Sequence, residues 1–204
     1  ATPELFVTYA SRWVYWHNAR AAWSLKLAAL VECRRRPDRS AMDRPFVLDA
    51  RRMSLAAIDR LLLAEAGRTG DFRLAACAPG ATLGAAPLPG EPFSPEKFAG
   101  QLDRAFDQLI GDEHRFVLDV SGKRALLPGM LWACRKMVRE RYQAEYGSRH
   151  AVLLTALRPY VGRAGRARLE QALGYTPVER PRLVELAIPR RKVFHPGKVG
   201  RAEP

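Results

Sequence analysis

Six short, nearly continuous apolar runs recur along this 204-residue chain, and longer segments with helical spacing lie between them. Nearly continuous apolar runs of about four to eight residues are typical of strands that are buried on both faces. Strands that alternate with helices favour a mostly parallel sheet with a layer of helices on each face. We therefore predict an α/β, Rossmann-like, three-layer fold. The predicted strands are residues 5–10, 45–49, 72–77, 115–120, 151–157 and 182–188.

Helices are predicted between these strands from apolar spacing and from capping residues. Ser54 is a suitable N-cap for one helix, and Ser94 followed by Pro95 marks the start of another. The stretch 78–95 is rich in Pro, Gly and Ala, and we expect it to form a long surface loop. The predicted helices are residues 15–35, 55–65, 95–110, 125–146 and 164–173.

The distribution of charge divides the chain into two parts. Lys and Arg number 34 against 21 Asp and Glu, and residues 158–204 hold eleven of the basic residues and four of the acidic ones. We therefore predict a Rossmann-like domain at residues 4–157 and an Arg-rich extension at residues 158–204, with a short helix, one strand and a basic tail. An apolar content of 48% excludes a disordered polycation.

The formal charge of +13 predicts a polyanionic partner such as RNA, and an acidic protein or a membrane is the weaker alternative. Arginine supplies 28 of the 34 basic residues, and its planar guanidinium group suits bidentate contacts with phosphate. A basic protein with no polyanionic partner, enriched in arginine by coding bias, is the alternative that composition leaves open. The residues of the extension predicted to contact RNA are Arg163, Arg166, Arg168, Arg190, Arg191 and Lys192.

A second candidate site follows from the predicted sheet. Ligands of open α/β sheets bind beyond the carboxyl ends of the strands. Ser11 and Arg12 follow the first predicted strand, and Ser-Gly-Lys-Arg at residues 121–124 follows the fourth. Gly122 permits a tight turn, and the free amides of a following helix attract anions. An ordinary turn with solvated cations is the alternative. The predicted phosphate-binding residues are Ser11, Arg12, Ser121, Gly122 and Arg124, with Lys123 beside them.

The segment Phe116-Val-Leu-Asp-Val-Ser-Gly-Lys-Arg124, followed by an apolar stretch from Leu126, resembles the signature turn of the CARF (CRISPR-associated Rossmann fold) family. The order of predicted elements is similar over about residues 4–189. The resemblance implies a homodimer that holds a cyclic oligoadenylate, as a sensor or as a ring nuclease of a CRISPR defence system. It also implies that Ser11, Arg12, Ser121, Gly122 and Lys123 face the ligand phosphates, and that Lys123 is the catalytic residue of a metal-independent ring nuclease.

A second hypothesis is an RNA-binding or crRNA-processing subunit of a ribonucleoprotein effector complex. The extension would follow the phosphates, and Tyr160 and Phe194 would stack on bases. The group of aromatic and polar residues around His17 has two interpretations. It packs in the core, or it stacks on bases with His17 or Tyr15 as the acid or base of metal-free RNA cleavage.

Several absences shape the remaining expectations. The three cysteines are widely spaced, which predicts reduced thiols and a cytoplasmic location. The histidines form no ligand pattern, so we expect neither a metal nor a cofactor. No apolar run approaches the length of a membrane span, and the first residues lack the layout of a signal peptide, so we expect no contact with a membrane.

Overall fold

The computed structural model describes residues 6, 8–34, 42–82, 84–148 and 151–180, without the side chains of residues 31–34. Within these ranges the chain forms eight α-helices and five short strands. The strands make one sheet of two strands and one of three. The predicted Rossmann-like, mostly parallel sheet of about six strands is therefore wrong. No helix in these ranges is both long enough and apolar enough to cross a bilayer.

The elements follow one another as a mainly helical chain. The helices are α1 (Tyr9–Arg34), α2 (Leu55–Thr69), α3 (Arg73–Ala76), α4 (Phe98–Gly111), α5 (Gly129–Ala133), α6 (Arg135–Tyr146), α7 (Leu153–Leu157) and α8 (Arg163–Gln171), with a 3₁₀ turn at Arg158–Tyr160. The strands are β1 (Phe46–Leu48), β2 (Arg51–Met53), β3 (Val117–Asp119), β4 (Arg124–Leu127) and β5 (Thr176–Glu179). β1 pairs with β2 in an antiparallel hairpin. β4 pairs antiparallel with β3 and parallel with β5.

Two of the predicted strands are buried helices. Residues 72–77 contain α3 and residues 151–157 contain α7. Both segments are short and largely buried, and apart from Arg73 and Thr155 their residues are apolar whichever structure forms. Periodicity cannot distinguish a buried helix from a buried strand over so few residues.

The fourth predicted strand is confirmed in type, but the chain after it differs from the prediction. β3 turns into β4 rather than into a helix, and the predicted helix 125–146 is divided into the end of β4 followed by α5 and α6. At the first predicted strand, residues 9 and 10 belong to α1. The sixth predicted strand, 182–188, lies outside the described residues.

Four of the five helices predicted from caps and apolar spacing are confirmed, as α1, α2, α4 and α8. The Ser54 hydroxyl accepts a hydrogen bond from the Ala57 amide at 3.1 Å, and α2 ends at Gly70 in the left-handed conformation. α4 begins at Phe98, after a turn at residues 95–97, rather than at Pro95. Its predicted apolar face is buried, and so is the inner side of α8.

The predicted surface loop 78–95 is buried over its first residues instead, whereas residues 90–92 and 95 are exposed. Ala78, Ala81 and Ala86 are each no more than 2% exposed. Three side chains satisfy the polar backbone of the loop. Arg20 donates to the carbonyl oxygens of Ala78 and Pro79, Ser24 accepts from the Ala81 amide, and Arg115 donates to the carbonyl oxygens of Thr82 and Ala85. A buried backbone is stable only when its polar groups have such partners.

The chain beyond residue 157 packs into the same core as far as Arg180. α8 lies against α4 so closely that a Cβ atom on Gly111 would come within 2.9 Å of the Ala164 Cβ. β5 adds the third strand to the sheet of β3 and β4. Part of the Arg-rich extension is therefore a fixed surface of the folded molecule.

Candidate nucleic-acid interface

The turn that was predicted to bind an anion is a β-hairpin turn closed by Asp119. The Ser121 hydroxyl donates to Asp119 Oδ1 at 2.7 Å, and the Gly122 amide donates to the same oxygen at 3.0 Å. The Arg124 guanidinium binds Asp119 Oδ2 through Nε and Nη2 at 3.0 and 2.8 Å. Three of the predicted phosphate ligands are therefore already bound to a carboxylate of the chain.

The electrostatics of this turn agree with its geometry. Hydrogen bonds from the Gly122 amide, the Ser121 hydroxyl and Arg124 lower the pKa of Asp119 to about 2. A phosphate would have to displace a carboxylate that is ionised at neutral pH. Lys123 is exposed and makes no ion pair with the described residues, while its carbonyl oxygen accepts from the Thr176 amide at 2.8 Å.

Ser11 and Arg12 lie in the first turn of α1, not after a strand. Ser11 Oγ lies 2.6 Å from the Thr8 hydroxyl, and Arg12 reaches Glu65 of α2 at 3.6 Å. Among the described residues, no hydrogen bond or ion pair joins them to the β3–β4 turn. The described contacts of Ser11 and Arg12 are thus to Thr8 and to α2.

The three predicted arginines of α8 have different environments. Arg163 and Arg166 are exposed and lie one turn apart, and neither forms an ion pair within the part of the chain that the structure describes. Arg168 is half-buried, and its guanidinium donates to the Phe116 carbonyl oxygen at 3.3 Å and to the Gln171 side chain at 2.8 Å. Arg163 and Arg166 are thus available to a ligand, whereas Arg168 connects α8 to the residue before β3.

The N-terminus of α8 is occupied by a carboxylate from α4. The Gly165 amide donates to Asp107 Oδ1 at 2.8 Å. This contact satisfies an amide that would otherwise attract an anion and complements the positive end of the helix dipole. Anion binding at α8 must therefore come from the arginine side chains rather than from the backbone.

Arg163 and Arg166 line an open, shallow depression of about 370 Å³. Gly162 and Ala167 also line it and have no bulky side chains. Glu170 is a further lining residue and pairs with Arg158 at 3.4 Å. The depression therefore offers two free guanidinium groups and one partly neutralised carboxylate. Arg190, Arg191, Lys192 and Phe194 lie outside the described residues.

Sequence reasoning missed a second basic feature, which lies on α6. Arg135, Arg139, Tyr142 and Tyr146 are spaced four, three and four residues apart, so they share one face of the helix. We call these four residues the α6 stripe. Helical periodicity applied to charged and aromatic residues, rather than to apolar ones alone, would have found it.

The aromatic residues proposed for RNA contact at the sequence level have other roles. His17 is fully buried, with Nε2 2.9 Å from the Leu74 carbonyl oxygen and its ring against Phe93 and Phe98. The Tyr15 hydroxyl donates to Asp49. The Tyr160 hydroxyl donates to Glu145 at 2.7 Å. The core-packing interpretation of His17 therefore agrees with the structure.

Comparison with known proteins found no match. No family model, curated protein or solved structure matches this chain. Within the described ranges, no three His, Cys, Asp or Glu side chains lie close enough together to hold a metal ion. The function must therefore be argued from the exposed side chains.

Proposed function

We propose that this protein binds the phosphate backbone of RNA, and that Arg163 and Arg166 of α8 contact the phosphates. The observation that supports this proposal is that Arg163 and Arg166 are exposed and lie one helical turn apart. Neither forms an ion pair with a carboxylate among the described residues. Unpaired arginines at a surface depression attract phosphates, because binding releases the counterions of the polyanion. The basic residues beyond Arg180 would extend the same contact along the chain of phosphates.

The net charge supports a polymer rather than a small anion as the ligand. A formal charge of +13 far exceeds what one or two phosphates need, and basic residues continue after α8 to the end of the chain. Glu170 reduces the attraction at the depression, so we expect contacts that track a backbone rather than a single tight pocket. Binding of this kind is largely independent of sequence.

The proposal is tested by fluorescence anisotropy with a labelled RNA oligonucleotide over a range of salt concentrations. In the variant Arg163→Ala/Arg166→Ala, we expect weaker binding and a salt slope that is smaller by up to about two, because up to two phosphate contacts are lost. The matched control is Arg52→Ala/Arg60→Ala, which removes the same charge from β2 and α2, where both arginines are exposed.

Equal losses in the two double variants would mean that net charge alone drives binding, and the assignment to α8 would be rejected. A second arm removes residues 181–204 and leaves α8 and β5 in place. The shortened protein should show a still smaller salt slope. If the full chain binds no RNA at 50 mM salt, where electrostatic contacts are strong, the proposed function is wrong.

A further inference from the structure

The α6 stripe combines two cations with two aromatic rings along one face of an exposed helix. From Arg135 to Tyr146 it extends about 16 Å along the helix axis. Tyr142 and Tyr146 pack ring against ring, with centroids 4.8 Å apart and planes tilted by 33°. Tyr146 is 55% exposed, so much of this residue is accessible to a ligand.

The other end of the stripe continues this pattern. The Arg135 guanidinium lies 4.8 Å from the centre of the Trp132 ring, and its Nη1 donates to the Trp132 carbonyl oxygen at 3.0 Å. This stacking and this hydrogen bond hold the guanidinium in one place without neutralising it. A positioned cation loses less side-chain entropy when it binds a phosphate.

The carboxylates of α6 are engaged away from the stripe. Glu140 pairs with Lys136 at 3.6 Å, and Glu145 pairs with Arg141 at 2.7 Å. Arg139 is exposed and forms no ion pair with any residue that the structure describes. The helix thus pairs its acids with the cations of its other faces, and the cations of the stripe keep their charge.

We propose that the α6 stripe is a stacking platform for single-stranded RNA, on which bases pack against Tyr146 while Arg135 and Arg139 contact the flanking phosphates. Every base has an aromatic face, so such a surface binds single strands with little sequence preference. A duplex hides its base faces in the stack and would use only the cations. This inference rests on the proposed RNA binding and adds a preference for single strands.

The ring is tested with Tyr146→Ala and Tyr146→Phe. Stacking on one base predicts that Tyr146→Ala weakens single-stranded RNA binding about tenfold and leaves the salt slope unchanged, because no charge is lost. Tyr146→Phe keeps the ring and should stay within about twofold of the parent protein. Duplex RNA of the same length should bind the parent and Tyr146→Ala equally.

The cation is tested with Arg139→Ala against Lys136→Ala. Both substitutions remove one charge from the same helix, but Lys136 lies about 100° around the axis from Arg135 and is paired with Glu140. Arg139→Ala should reduce the salt slope by about one, and Lys136→Ala should change it little. Equal effects would show that position on the helix is irrelevant and would overturn the platform.

The outcomes separate this inference from the proposed function. If the parent protein binds single-stranded RNA in a manner that depends on Arg163 and Arg166, while Tyr146→Ala changes nothing and duplex binds equally well, the platform alone is wrong. If the parent protein binds no RNA, both proposals are wrong. Circular dichroism of each variant confirms that a lost affinity does not come from lost helix.

Discussion

At the scale of single residues, burial decides which polar side chains serve the fold and which remain for a ligand. Arg20, Arg115 and Arg180 are each less than 10% exposed and donate to backbone carbonyl oxygens. Arg163 and Arg166 have the same side chain and are exposed. Composition counts these five arginines alike. It therefore predicts that the surface charge is positive, but not which arginines carry that charge.

His17 makes stability depend on pH. Burial lowers its pKa to about 4, against a smaller opposing effect of the hydrogen bond with the Leu74 carbonyl oxygen. The unfolded chain binds this proton near pH 6.5, whereas the folded chain resists it until about pH 4. The free energy of unfolding should therefore fall as the pH drops from about 6.5 to 4, by about 3 kcal/mol from this group alone.

Urea denaturation at a series of pH values tests this effect. The His17→Gln variant does not titrate in this range and keeps an N–H group to donate to the Leu74 carbonyl oxygen. Its stability should depend less on pH between 6.5 and 4 than that of the parent protein. If the two profiles are parallel, the loss at acidic pH comes from other groups.

At the scale of elements, the sequence predicts a helix correctly where capping residues or an apolar period mark it. The Ser54 hydroxyl caps the start of α2, and Gly70 in the left-handed conformation ends it. The apolar period of α4 matches its buried face. α3 and α7 span only four and five residues, most of them buried and apolar, so the apolar period that marks α4 cannot be recognised in them. The reversal after β3 depends on Asp119 binding Arg124 across the hairpin, a contact that the strand-and-helix pattern does not encode.

The contact between α4 and α8 positions Arg163 and Arg166, and it depends on the absence of a side chain at Gly165. A Cβ atom there would lie 2.8 Å from the Val161 Cβ and 2.9 Å from Asp107 Oδ1. We expect Gly165→Ala to lower the free energy of unfolding by about 1–3 kcal/mol, because overpacking forces the helices apart. Chemical denaturation measures the change.

Gly67 supplies the matched control for this substitution. It lies in α2, and a Cβ atom there would meet nothing within 4 Å. Gly67→Ala should therefore raise the free energy of unfolding by about 0.5–1 kcal/mol, because it removes backbone entropy from the unfolded chain. Changes of the same sign in both variants would contradict the packing that we describe.

At the scale of the whole molecule, the polar side chains of α1 link distant parts of the chain. Asn18 bonds both backbone groups of Phe93, with its Nδ2 donating to the carbonyl oxygen and its Oδ1 accepting from the amide, each at 2.9 Å. Arg20 binds the start of the same loop and pairs with Asp59 of α2. These contacts span more than 35 residues in sequence, and no local pattern reveals such partners. The composition of the loop therefore predicts exposure, although its first residues are part of the core.

Breaking the pair of Arg20 and Asp59 is the strongest test of the links that α1 makes to the loop and to α2. Its side chains are 4% and 13% exposed, and Arg20 Nε lies 2.5 Å from Asp59 Oδ1. Arg20→Met leaves a buried carboxylate unpaired and two loop carbonyl oxygens without their donor. We expect it to cost about 3–5 kcal/mol of the free energy of unfolding, measured by chemical denaturation.

The control is the exposed pair of Arg68 and Glu65, in which 56% of the arginine side chain is exposed. Arg68→Met should lower the free energy of unfolding by less than about 1 kcal/mol. Adding Asp59→Leu to Arg20→Met should recover part of the loss, because it removes the uncompensated charge. The loop carbonyl oxygens would still lack their donor, so recovery should be incomplete. If Arg20→Met costs no more than Arg68→Met, Arg20 does not hold the loop in the core.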